Sequence, residues 1–194
     1  MAIMIPEKPR DFDPASQEGL IFDALALLPE DYYVFHSFRI TDTRDGTFRE
    51  SETDFVIFNR TKGVICLEAK AGQVRYENGC WLYGSGIPMH NGGPFNQASA
   101  NKYKLMRYIS DSNMAFVLEK CKFFHAVWFP SVSNDRLKNM TLPSEGDKAL
   151  VLTKEALSNP KEFVDKIYTL QLPSRIETKL SETESKRLVR EIFC

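Results

Sequence analysis

The chain has 194 residues, 43% of them hydrophobic and 26% charged, with a formal net charge of −1. That length and balance predict one globular domain with a buried core and exclude a globally basic nucleic-acid or membrane-surface protein, so any basic patch has to be local. No apolar run reaches transmembrane length and the N-terminus lacks the apolar centre of a signal peptide. Cys66, Cys80, Cys121 and Cys194 show no paired spacing, which argues against zinc or a disulfide framework and for a reducing cytoplasm.

In chain order, residues 1–14 are polar, with Pro6 and Pro9, and read as an extended arm before a single domain over 15–194. Asp13-Pro14 reads as a cap and first position of a helix running to about Leu28, with Ile21, Phe22, Leu25 and Leu28 as its apolar stripe. Glu18 continues that stripe towards the helix start, either as a functional carboxylate or as an acid favoured there by the helix dipole. Tyr32 to Phe38 reads as a strand, with His36 a structural hydrogen-bonding residue, and Thr41 to Ser51, around Arg44-Asp45-Gly46, as a polar loop. Glu52 to Asn59 and Gly63 to Lys70 are two strand-like runs about a short basic turn. Gln73 to Tyr76 and Cys80 to Tyr83 flank Asn78-Gly79, a second hairpin expected to extend the sheet, with Trp81 as packing. Gly84 to Gly93 is a glycine-rich loop without a phosphate-binding pattern.

A helix follows from about Pro94 to Ile109. Gln97, Asn101, Leu105 and Tyr108 share a stripe, and Lys102, Lys104 and Arg107 form either a phosphate-contacting patch or a solvated face. Lys122 to Phe129 is a central strand, 130–147 a polar loop and Ala149 to Leu152 a short strand. Asn159-Pro160 and Ser181-x-x-Glu184 open two further helices. The alternation of elements predicts an α/β fold, a mixed sheet with helices on both faces.

The chemistry concentrates in the first hairpin. If the turn closes at Phe58 and Val64, Val56 faces Cys66 and Asp54 faces Glu68, with side-chain roots about 5 Å apart. Alternation puts both carboxylates on one face, with Lys70 beside Glu68. Paired carboxylates repel unless a divalent cation lies between them. The alternative is a half-exposed hairpin whose acids face water, with Glu52 and Lys70 as a surface ion pair. Cys66, on the same face, is better read as a small buried hydrophobe than as a nucleophile.

Together, Glu18 in an opening helix, Glu52-Thr53-Asp54, Gly63-Val64-Ile65-Cys66-Leu67-Glu68-Ala69-Lys70 and Pro94-Phe95-Asn96-Gln97-Ala98 resemble the nuclease-related domain (NERD) family of the PD-(D/E)XK, restriction-endonuclease-like superfamily. The likeness spans roughly residues 15 to 155. It implies a restriction-endonuclease-like core, here a mixed sheet of four to five strands plus the extra hairpin, and DNA cleavage dependent on magnesium or manganese. Carried over by position, Asp54, Glu68 and the Ala69 carbonyl would hold the metal. Glu18 would add a carboxylate, Lys70 would position the attacking water, and Gln97 would orient the site or touch substrate. Thr53 replaces the superfamily's usual proline. The family also implies a helicase as domain or partner. Two other classes compete: a non-cleaving nucleic-acid-binding module and a protein-interaction domain.

Overall fold

Long β-branched and aromatic runs in the first two thirds of the chain build a sheet, and helices close over both of its faces. The computed structural model describes residues 1–8, 11–43 and 46–194. Pro9, of the N-terminal segment, and Arg44-Asp45, of the polar loop, lie outside the described residues. In chain order the elements are β1 (Ile3–Ile5), α1 (Glu18–Ala26), β2 (Tyr32–Asp42), β3 (Arg49–Asn59) and β4 (Gly63–Ala69). They continue as β5 (Val74–Glu77), β6 (Cys80–Tyr83), α2 (Pro94–Ser110), β7 (Phe123–Trp128) and α3 (Asn134–Lys138). The last are β8 (Val151–Leu152), α4 (Pro160–Tyr168) and α5 (Glu182–Leu188). The main sheet has the order β1-β2-β3-β4-β7-β8. Pairs β2–β3 and β3–β4 are antiparallel, and β1–β2, β4–β7 and β7–β8 are parallel.

Alternation along β3 and β4 sorts the core into two layers. Phe55, Ile57, Ile65 and Leu67 pack with Ile21, Phe22 and Leu25 of α1 and with Val164 and Ile167 of α4. Val56, Phe58, Val64 and Cys66 pack with Leu105 and Ile109 of α2 and with Leu188 of α5. The α/β reading and the covering of both faces therefore hold. So does the capping box of Ser181 and Glu184 at α5.

Several boundaries differ from expectation, each for a local reason. The N-terminal segment is not a free arm, since Ile3–Ile5 pairs in parallel with Tyr33–Phe35 as an edge strand. With β1, too short to show a period, the sheet has six strands rather than four to five, and the expected short strand at 149–152 is present as β8, Val151–Leu152. The hairpin β5–β6 forms its own two-stranded sheet instead of extending the main one. Its Trp81 is 3% exposed and packs on Phe95 and Phe129, which draws the hairpin onto the N-terminus of α2. Asp13 and Pro14 start a short 3-10 turn, Gln17 turns into a left-handed conformation at φ +56, and α1 begins only at Glu18. The polar loop is shorter than its composition suggests. Thr41 and Asp42 pair with Glu50 and Arg49, while Arg39 bridges Glu52 at 2.8 Å and Glu50 at 3.7 Å, so charged cross-strand pairs extend the ladder. The expected 130–147 loop contains α3, opened by Ser133 accepting the Arg136 N–H. Among the described residues, no helix is long and apolar enough to cross a membrane.

Candidate active site

The register of β3 and β4 matches the expected turn: Asn59 faces Gly63, Phe58 faces Val64 and Phe55 faces Leu67. Gly63 is required here. Its φ is +130 and a Cβ would meet the Lys122 carbonyl oxygen at 2.5 Å, a conformation and a space closed to other residues. The ladder stops one pair short of Asp54 and Glu68. There the side chain takes over from the backbone, and Asp54 Oδ2 accepts the Ala69 N–H at 2.8 Å. On the other side of β3, Ser37 of β2 has φ +51, and the β2–β3 pairing skips Ser37 and Asp54 between His36–Phe55 and Phe38–Thr53. A non-glycine residue in that conformation is uncommon, and such residues gather at functional sites.

Asp54 and Glu68 continue the face that α2 covers, one by each strand's alternation. Glu68 is 5% exposed, so the half-exposed alternative does not describe it. The ammonium of Lys70, the residue after β4, lies 2.5 Å from Glu68 Oε1, and Glu52 is taken by Arg39 rather than by Lys70. Burial, and then the charge of Glu68, pushes the Asp54 carboxyl up to about 7 against the opposing pull of the Ala69 N–H and Lys70. Burial likewise raises Glu68, with Lys70 acting in opposition. Burial disfavours the Lys70 charge, but the Glu68 carboxylate outweighs it and the ammonium is held above its ordinary range. Among the described residues, one cation, Lys70, thus faces an excess of carboxylate.

Glu18 arrives from the other side of the sheet, at the first position of α1. Its charge adds to the raised proton affinity of both Asp54 and Glu68. Its Oε2 lies 3.0 Å from His36 Nε2, and its backbone N–H donates to Ser16 Oγ at 3.2 Å. His36 Nδ1 is buried without a partner. A carboxylate oxygen can only accept, so the proton is assigned to Nε2, which donates to Glu18 and leaves Nδ1 as an unpartnered lone pair. Ala69 ends β4 and contributes its N–H to Asp54. Gln97, in the first turn of α2, donates Nε2–H to the His90 carbonyl at 2.8 Å and lines a cleft of about 340 Å³ together with Glu68, Glu52, Asn101 and Lys104. Asn101 fixes the cleft wall by donating to the Glu52 carbonyl at 3.0 Å.

The three basic residues of α2 do not lie together as one patch. Lys104 and Arg107 are exposed on the cleft side, where they line adjoining pockets. Lys102, two residues from Lys104, falls on another side of the helix. It is 9% exposed, its Nζ stands 4.4 Å from the Tyr103 ring centroid, and it lines a separate cavity with His125. Burial and then Lys102 lower the His125 imidazole to about 4. Cys66 is a buried thiol pushed up to about 12, as a packing residue should be. Among the described residues, no three histidine, cysteine, aspartate or glutamate side chains group tightly enough to enclose a metal ion. Asp54 and Glu68 stand together, and Glu18 is held on His36.

A family model described as the nuclease-related domain, NERD, matches residues 14–130, more than half of the chain. The chain belongs to the NERD family. No curated protein and no solved structure gives a significant match. The matched part of this NERD domain contains Glu18, Asp54, Glu68, Lys70 and Gln97, while α4 and α5 lie beyond it and finish the two core layers. His36 is the hydrogen-bonded structural residue expected, and the partner that the sequence left unnamed is Glu18. The available signal was alternation: Val34 and His36 share a face, and Val34 packs in the layer under α1. Asn101 appeared only as a stripe position, because its bond to a backbone carbonyl of β3 depends on how α2 crosses the sheet.

Proposed function

We propose that this NERD domain is a metal-dependent DNA nuclease that hydrolyses phosphodiesters at Asp54, Glu68 and Lys70. The observation carrying this reading is the carboxylate pair at the open end of the β3–β4 hairpin, Glu68 buried and Asp54 half-buried, undercompensated by Lys70. The donor set fits a small hard dication. It is made of carboxylate oxygens, while the nearest thiol, Cys66, is held protonated by burial. Asp54 and Glu68 would hold the ion with the Ala69 carbonyl, and Glu18, oriented by His36, would add a carboxylate through water. The chemistry a bound magnesium or manganese ion supplies is charge neutralisation at the phosphoryl oxygen and a more acidic water.

The protein's own groups do the rest. Lys70 places an ammonium beside the position where negative charge grows in the transition state, and Glu68 fixes its direction. Gln97, held by the His90 carbonyl, orients the cleft wall. Lys104 and Arg107 meet backbone phosphates. A cytoplasmic setting suits the four free cysteines, and a helicase alongside would supply unwound DNA. The test is cleavage of plasmid and single-stranded DNA with magnesium or manganese by wild type, Asp54→Ala and Lys70→Ala. Loss in both variants supports the site, and equal activity in all three rejects it.

A second reading has its own observation. Lys70–Glu68 and His36–Glu18 already close as pairs without an ion. A NERD domain that binds DNA without cutting it would show salt-dependent affinity surviving Glu68→Ala, with no cleavage under any metal.

A further inference from the structure

Beyond the Glu68 cleft the trough does not end. A second pocket, also about 340 Å³, opens between the far ends of β2 and β3 and the C-terminal half of α2. The two share Glu50, Ser51 and Lys104 as lining residues, so they form one continuous path. We propose that this second pocket receives an unpaired nucleobase, which makes single-stranded DNA the substrate class of the site. The proposal rests on the nuclease reading only for where the scissile phosphate lies.

Three observations carry it. The first is size, since the volume falls within the range of small-ligand sites and admits one base. The second is the character of the walls. Ile40 and Tyr108 give apolar surface, and Tyr108 is 39% exposed on α2, a ring available to stack on a base. The third is the mixture of charge. Arg49, Lys104 and Arg107 line the pocket together with Asp42, Glu50 and Asp111. Duplex DNA presents one negative charge for about every 1.7 Å of axis, and a wall carrying carboxylates is a poor match for that density. A base is neutral and carries both donors and acceptors on its edges. Carboxylates accept from its amino groups, and arginine or lysine donates to its ring nitrogens and carbonyls. The cations on α2 can serve the flanking phosphates at the same time. Gln97 and Tyr108 are separated by roughly three turns of α2, about 16 Å, so the stacked base would sit a few nucleotides from the cut.

The test measures binding of the full chain to a fluorescent oligodeoxynucleotide and to a blunt duplex of equal length, by anisotropy in chelator, where nothing is cleaved. Wild type is expected to prefer the single strand. Tyr108→Ala should weaken the single strand about tenfold and leave the duplex unchanged, while Tyr108→Phe keeps the ring and most of the affinity. An abasic site walked along the oligonucleotide should reproduce the Tyr108→Ala loss at one position, a control that leaves the protein untouched. Equal or tighter duplex binding, no effect of Tyr108→Ala, no sensitive abasic position, or no binding at all overturns the proposal. The nuclease reading is judged separately, by cleavage. Tyr108-dependent single-strand affinity without cleavage under any metal removes the nuclease and keeps the base pocket; cleavage indifferent to Tyr108→Ala does the reverse.

Discussion

The β3–β4 hairpin carries a charged cluster at each end, and the two are balanced in opposite senses. At the turn, Asp165 of α4 receives Lys62 at 2.6 Å and Lys161 at 2.5 Å, together with the Tyr32 hydroxyl. Burial works against its charge, but these donors outweigh burial and hold Asp165 below the usual carboxylate range. At the open end, Asp54 and Glu68 share one lysine with Glu18 nearby, and both are raised. Both ends look like ion-pair networks. Only the second holds carboxylate charge that its own cation does not balance, and that imbalance, rather than the number of ion pairs, is what favours the proposed metal site there and a structural lock at the turn.

The largest expected effect tests that distinction directly. Asp54→Asn should lower DNA cleavage by about 10³-fold, in the range of losing a main electrostatic group from an active site. Asp165→Asn should leave cleavage per folded molecule unchanged. Initial rates on plasmid DNA, normalised to the folded fraction, decide the matter. A parallel fall in both variants would merge the two clusters into one functional unit.

The distinction was partly legible in the sequence, and the reason is distance along the chain. A five-residue turn fixes register, so the convergence of Asp54 and Glu68 followed from local spacing alone. The same locality made the capping box at Ser181 and the span of α2 readable. What escaped depends on contacts between distant segments. Asp165 reaches Lys62 only because α4 packs across the sheet, and Glu18 meets His36 only because α1 lies over β2. Lys102 was grouped with Lys104 by proximity in sequence, but helical spacing places two residues so separated on different sides. The edge strand β1 is set by a parallel pairing to β2 that three residues cannot announce.

Stability should respond in opposite directions at the two ends. Asp165→Asn strands two lysines and should cost about 1–2 kcal/mol, less than a fully buried pair because Asp165 remains 27% exposed. Asp54→Asn removes a repelled, half-buried charge and should stabilise the chelated protein at pH 8 by about 1–2 kcal/mol. The pH dependence separates them further. With a folded value of about 7, above that of the unfolded chain, the Asp54 contribution is full at low pH and is lost as pH rises through about 7. With a folded value below that of the unfolded chain, the Asp165 contribution is present above roughly pH 4 and is lost as pH falls through its depressed value. Urea midpoints measured in chelator should therefore lose their neutral-side slope in Asp54→Asn and part of their acid-side slope in Asp165→Asn. The same slopes in both variants would break the contrast.

The smallest effect concerns Glu18, whose allegiance decides how many carboxylates the open end holds. His36 is packed by Phe12 and Phe55, with ring centroids at 4.7 and 4.9 Å, so His36→Leu fills the same space and removes only the donor. If His36 aims Glu18 at the site, that change should weaken manganese binding about tenfold by calorimetry, the low end for a residue that orients a ligand, and His36→Gln, which keeps a donor, should recover most of it. A packing role predicts lower stability in His36→Leu with unchanged manganese affinity. In that case Glu18–His36 belongs with Lys62–Asp165 as a completed pair, and the open end is a two-carboxylate site.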